Sequence, residues 1–163
     1  LIIAGDFSLN KSLLKKITNK KNNLLKNLII FPNGVDHKLL SKLFKISDLY
    51  LHTSSYEGFG VVLAEAALSG LPAVSTLNDG ALEIIKHNKT GIIVKDNKKN
   101  IFAQEVIKLL KSDFLRNKMS IETKKIAIKK FNREINLQKR AWLWRIVAKS
   151  GINSKVDISR FIK

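Results

Sequence analysis

The chain has no cysteine, one methionine, two prolines and only three histidines among 163 residues. Without cysteine there is no disulfide framework and no thiolate. That excludes thiol catalysis and stapled miniature scaffolds, and it suits the reducing cytoplasm. No apolar run approaches the roughly 18 residues that a membrane-spanning helix needs. The opening Leu1-Ile2-Ile3-Ala4-Gly5 is short and has no basic leader, so it reads as a buried strand rather than a secretory signal. No set of histidines and carboxylates has metal-ligand spacing, so no metal site is expected. His37 and His87 read as surface or capping residues; His52, at the end of a predicted strand, could reach a site there but reads first as a buried or hydrogen-bonded structural residue. Acidic residues are also scarce, at 13 against 30 Lys and Arg. The resulting charge of +17 is uneven. Residues 1–85 carry 9 basic and 7 acidic side chains, whereas 86–163 carry 21 and 6. A basic half of that size suits an anionic surface, either lipid headgroups or nucleic acid. A general bias toward Lys, Ile and Asn accounts for it equally well.

With 45% hydrophobic content, the chain can bury the core of one domain. Short apolar runs alternate with helical patterns, as in an α/β protein with a parallel sheet. Strands are predicted at 1–4, 28–31, 49–52, 73–76 and 92–94, with helices near 9–21, 37–46, 60–69 and 80–87 between them. Leu39, Leu40, Leu43 and Phe44 give the second of these helices one apolar face. Ala64, Ala66 and Ala67 keep the third slim enough to lie close on a sheet, and Gly70-Leu71-Pro72 stops it. After residue 97 only helices are predicted, near 98–111, 113–130 and 133–149. Lys118, Lys125, Lys129 and Arg133 form a basic stripe if the last two are continuous, with Ile121, Ile128 and Ile135 on the opposite side. Residues 1–150 read as one domain and 151–163 as a loose tail.

The most specific stretch is Ser54-Ser55-Tyr56-Glu57-Gly58-Phe59-Gly60-Val61-Val62-Leu63-Ala64-Glu65. Two carboxylates stand eight positions apart, one beside a Gly-rich turn and one inside a helical run. If a helix starts near Gly60, its free N–H groups and positive dipole end face that turn and suit an anion. A ligand with a phosphate in the middle and hydroxyls on either side fits this layout, and a nucleotide-sugar is such a ligand. A plain strand–turn–helix with one solvated and one capping Glu fits the two positions as well. In doubly wound sheets, ligands bind at the C-terminal ends of strands. The turns at Gly5, at Pro32-Asn33-Gly34-Val35, at 53–60 and at Asn78-Asp79-Gly80-Ala81 all occupy such ends.

The stretch resembles the E-x7-E signature of retaining GT-B glycosyltransferases, the group 1 transferases of family GT4. The resemblance continues through Ser69-Gly70-Leu71-Pro72-Ala73-Val74-Ser75-Thr76, then Asn78-Asp79-Gly80-Ala81-Leu82-Glu83-Ile84-Ile85, then Thr90-Gly91-Ile92-Ile93-Val94, and covers roughly 1–130. It implies a Rossmann-like parallel sheet with flanking helices, the C-terminal half of a GT-B fold, followed by a helical C-terminal tail. It also implies roles. Glu57 contacts the transferred sugar and stabilises positive charge at its anomeric carbon. Gly58, Phe59 and Gly60 offer backbone N–H groups to hydroxyls and phosphate. Glu65 accepts from the ribose diol, Gly34 and Val35 hold the base, and Gly5 and Gly80 line the donor edge. No bound metal or other cofactor is implied; the nucleotide-sugar is the substrate. In the family, a basic pair that stabilises the departing diphosphate lies upstream of the strand matching 1–4, and Lys11, Lys15 and Lys16 do not match it. That pair and the N-terminal acceptor-binding domain are expected to be missing, so the isolated chain is expected to be inactive. The resemblance implies an acceptor that is a glycan, a lipid or another hydroxyl compound. Ala81 stands where the family usually has a second adjacent glycine.

Two alternatives stay open: a non-catalytic nucleotide-sugar-binding remnant or split subunit, and a basic nucleic-acid-binding protein. The second ranks low because no specific nucleic-acid motif is present. Helical projection of 133–149 puts Ile135, Trp142 and Ile146 on one face and Trp144 nearly opposite. Trp144, with Arg140, Arg145 and Lys149 around it, suggests a contact beyond the domain. That contact is either the missing N-terminal domain or an anionic membrane at the inner surface, which would make the protein cytoplasmic and peripheral.

Overall fold

A computed structural model describes residues 1–5, 11, 12, 15, 28–95 and 99–150, the last two without their side chains. The expected tail at 151–163 and all but three residues of the expected helix at 9–21 lie outside the described residues. The chain forms two compact units, Leu1–Ser47 and Asp48–Lys163.

In the first unit, β1 (Ile2–Ala4) and β2 (Ile29–Phe31) pair in parallel, Ile3 opposite Ile30. The pairing extends beyond the strands, because the Gly34 N–H donates to the Gly5 carbonyl at 3.0 Å. Helix α1 (His37–Ile46) follows, started by Asp36, whose carboxylate accepts the Leu39 N–H at 2.7 Å.

In the second unit, β3 (Tyr50–His52), β4 (Ala73–Thr76) and β5 (Gly91–Val94) form a parallel sheet in the order β3-β4-β5. Helices α2 (Val61–Leu68) and α3 (Asp79–Ile84) make its crossovers. Helices α4 (Lys99–Leu110), α5 (Asp113–Phe131) and α6 (Arg133–Ser150) follow. Side chains alternate across each strand. Ala73 and Ile93 join Leu63, Ala64, Ala81 and Ala127 on one face. Val74, Ile92 and Val94 join Leu109 and Met119 on the other. Helices therefore cover both faces, as a parallel sheet requires.

All five predicted strands are present, and most helix ends agree within two residues of those expected. Helix α3 ends three residues short of the expected 87. There the Thr90 hydroxyl accepts the Lys86 N–H at 2.8 Å and holds 86–90 as a turn instead.

On α5 the expected placement of Ile121 and Ile128 opposite the lysines needs correction: 3.6 residues per turn sets them beside Lys118, Lys125 and Lys129, on the same exposed side of the helix. Its buried residues are Met119, Thr123 and Ala127, whereas Ile121 and Ile128 are exposed. The helix packs on the slim α2, where Ala64 and Ala67 face Ala127 in one cluster. A short approach of that kind takes small side chains. The Thr123 hydroxyl is satisfied inside this seam by the Thr90 carbonyl at 2.8 Å. Nor are α5 and α6 continuous. Asn132 leaves helical geometry at ψ 118° and starts α6 by accepting the Ile135 N–H at 3.0 Å.

Candidate functional site

The loop from β3 to α2 is tied to the loop from β4 to α3. The Thr76 hydroxyl donates to the Ser54 carbonyl at 2.6 Å, and the Asn78 amide donates to the same oxygen at 3.0 Å. Asn78 also caps α3, its side-chain oxygen accepting the Ala81 N–H at 2.8 Å. These contacts join residues more than twenty positions apart and hold the Gly-rich turn against the end of the sheet.

Within this frame Glu57, Phe59, Gly60 and Gly80 come together. Gly60 is the N-cap of α2 at φ 77°, a left-handed conformation that a side chain resists. Its N–H donates to the Glu57 carboxylate at 3.1 Å. The helix start is therefore not entirely open, as the sequence suggested: one donor is taken by the motif's own glutamate. The Gly80 N–H donates to the Glu57 carbonyl at 2.8 Å. A Cβ at Gly80 would lie 2.8 Å from the Phe59 carbonyl carbon and oxygen, and 2.9 Å from the Glu57 Cγ. Glycine there allows α3 to press on the loop. Gly58 is exposed and has open space around it. The Phe59 ring meets Phe131 edge-on, with centroids 6.0 Å apart, which ties the turn to the end of α5. Ala81 is fully buried in the core cluster with Leu63 and Ile84.

Glu65 lies half-buried in α2, one turn and a half beyond Glu57's loop. Both glutamates act on the Tyr50 phenol. Burial, then the negative charges of Glu57 and Glu65, push its pKa above the ordinary tyrosine value. His52 sits on the same strand face, its ring 5.9 Å from that of Tyr50. It is 8% exposed, and its Nε2 has no hydrogen-bond partner among the described residues. Burial lowers its pKa, against the opposing pull of Glu57. The buried structural reading of His52 agrees with this placement. His87 is exposed, and its Nδ1 accepts the Ile93 N–H at 3.0 Å. It is thus a cap on a strand edge rather than on a helix.

Gly5, Gly34 and Val35 lie in the first unit, at the ends of β1 and β2, where Gly5 and Gly34 are hydrogen-bonded to each other. Sequence reasoning missed Ser54, Thr76 and Phe131. Asn78 carried a readable signal, an Asn directly before an acidic first turn. Among the described residues, no three His, Cys, Asp or Glu side chains are grouped to hold a metal ion. No described helix is long and apolar enough to cross a membrane.

Residues 1–126 match the family described as glycosyl transferases group 1. The chain belongs to that family. It is 27% identical over 156 residues to the N-acetyl-alpha-D-glucosaminyl L-malate synthase of Bacillus anthracis, covering 96% of this chain and 40% of that protein. Its fold superposes on Anabaena Alr3699/HepE, solved in complex with UDP and glucose, with a TM-score of 0.74 at 23% identity, over 90% of this chain and 40% of that one. It also superposes on the C-terminal domain of a group 1 glycosyl transferase, LpcC, from Francisella tularensis, with a TM-score of 0.62 at 21% identity, over 76% of this chain and 62% of that one. The chain thus spans about two fifths of the length of the Bacillus relative and has the fold of a C-terminal-type domain of GT-B glycosyltransferases.

Proposed function

We propose that this chain is the donor-binding half of a retaining glycosyltransferase of the GT4 type. The complete enzyme would move a sugar from a nucleotide-sugar to a hydroxyl of a glycan, lipid or other acceptor, without a bound metal. The observation that carries this reading is the Glu57 carboxylate held on the Gly60 N–H, at the N-terminal end of α2. A donor oxygen arriving at 58–60 takes over that N–H and gains from the helix dipole. Glu57 is then released toward the sugar. There its negative charge stabilises the positive charge that develops at the anomeric carbon as the diphosphate departs. Gly58 and Phe59 offer further backbone donors. Gly80, hydrogen-bonded to the Glu57 carbonyl, keeps the loop in register. Glu65 accepts from the ribose diol, a pairing in which a charged acceptor strengthens both bonds. For Gly34 and Val35 the family resemblance implies contact with the base, and for Gly5 a place on the outer donor edge. The UDP and glucose bound by the Anabaena protein are the class of ligand this reading requires.

Titration calorimetry with UDP, GDP and ADP tests the proposal. One of them should bind the wild-type chain, and Glu65→Ala should weaken that binding by about 1–3 kcal/mol, through loss of a charged hydrogen-bond acceptor. Equal affinities remove Glu65 from the site. No binding of any of the three overturns the donor-binding reading.

A further inference from the structure

The exposed side of α5 carries a pattern that the fold does not use. Phe114, Ile121 and Ile128 recur every seven residues, about two helical turns, on a line some 21 Å long. They are 79%, 70% and 48% exposed. The buried seam of Met119, Thr123 and Ala127 lies on the opposite side of the same helix. Lys118, Lys125 and Lys129 flank the apolar line on one side and Lys124 on the other, all exposed. The helix has two acids, and both are paired with basic side chains. Asp113 pairs with Arg116 at 2.5 Å, and Glu122 pairs with Lys89 at 3.2 Å.

Large apolar side chains left in water on a soluble helix call for an occupant when they form a continuous line. The surrounding charge indicates which one. A line of Phe and Ile bordered on both flanks by lysine suits the boundary between headgroups and acyl chains, with the lysine stems reaching back to anionic phosphates. A nucleic acid would use the lysines and leave the Ile and Phe line idle. A second copy of this chain would bring the same positive charge against itself. We propose that the outer face of α5 is a docking surface for an anionic lipid bilayer, with Phe114, Ile121 and Ile128 inserted shallowly and Lys118, Lys125 and Lys129 on the headgroups.

The test is sedimentation of the chain with vesicles of phosphatidylcholine alone and of phosphatidylcholine mixed with phosphatidylglycerol. Binding to the mixed vesicles only, weakening as salt rises, is expected. Lys118→Gln with Lys125→Gln should weaken it by about thirtyfold, at roughly fivefold per lysine near an anionic surface. Ile121→Ser with Phe114→Ser should weaken it at least as much with the charge unchanged. Both pairs are exposed, so the melting temperature should hold and report that the fold survives. The proposal is overturned if the vesicles do not bind, if binding ignores lipid charge, or if the lysine pair matters and the apolar pair does not. The last result would identify a general polyanion surface, nucleic acid included. Concentration-dependent self-association abolished by Ile121→Ser, with no lipid binding, would assign the face to a second copy instead.

Discussion

Gly80→Ala sets two known effects against each other. Gly80 is the second residue of α3, where alanine favours the helix by up to about 1 kcal/mol over glycine. Against this, the new Cβ would stand 2.8 Å from both the carbonyl carbon and oxygen of Phe59. Those atoms are backbone, with no side-chain torsion to relieve the contact, in a loop anchored at Ser54 by Thr76 and Asn78. Relief requires α3 and the turn to part by about half an ångström. Overpacking of this kind costs about 1–3 kcal/mol. The shift also lengthens the 2.8 Å bond from the Gly80 N–H to the Glu57 carbonyl, at about 1 kcal/mol if it is lost. The clash wins, and the net destabilisation is about 1–3 kcal/mol, or several degrees in melting temperature for a chain of this size. Gly58→Ala is the control, because a Cβ there meets nothing within 4 Å, and its stability should change little. Chemical denaturation of the three proteins gives the comparison. If Gly80→Ala is as stable as wild type or more so, the turn is soft and its geometry is not imposed by α3.

Thr123→Val keeps the volume of the seam and strips the hydroxyl from the buried Thr90 carbonyl, so it should cost about 1–2 kcal/mol by denaturant titration. The isolated chain should transfer little or no sugar. When a matching N-terminal domain restores turnover, Glu57→Gln should lower kcat more than it lowers donor affinity, which steady-state kinetics and calorimetry resolve. His52 is held neutral by burial, so as pH falls the unfolded chain takes up this proton first, near pH 6.5. Its contribution to stability is complete above that value and declines below it. His52→Leu should flatten this part of a plot of melting temperature against pH, and parallel plots would place the acid sensitivity elsewhere.

The strands were readable because each is a short apolar run ended by turn residues. Gly70-Leu71-Pro72 and Asn78-Asp79-Gly80 punctuate the chain wherever the sheet needs a reversal. Helix α5 shows where that reading stops. The sequence showed Ile121 and Ile128 as an apolar line but named no buried face for this helix. The seam was decided by how closely α5 must approach α2. Thr123 and Ala127 win there because they are small, and no local pattern states the separation of two helices that meet across the fold.

The site divides in the same way. The candidate carboxylates and the glycines between them were chosen from spacing alone, and they sit on one loop and the helix it enters. What holds that loop could not be found that way. The Ser54 carbonyl accepts from the Thr76 hydroxyl and the Asn78 amide of the next crossover, and side-chain-to-carbonyl contacts over such separations leave no trace in sequence. The use of Glu57 as a cap for Gly60 was within reach, three residues being a capping distance, yet an acidic residue in a motif invites a catalytic reading first. The two readings are compatible. Under the proposed function, the carboxylate that holds the Gly60 N–H in the free protein would be displaced by a donor oxygen. The Gly60 N–H is satisfied before binding and can be satisfied again after it, so the turn need not carry an orphaned donor in either state.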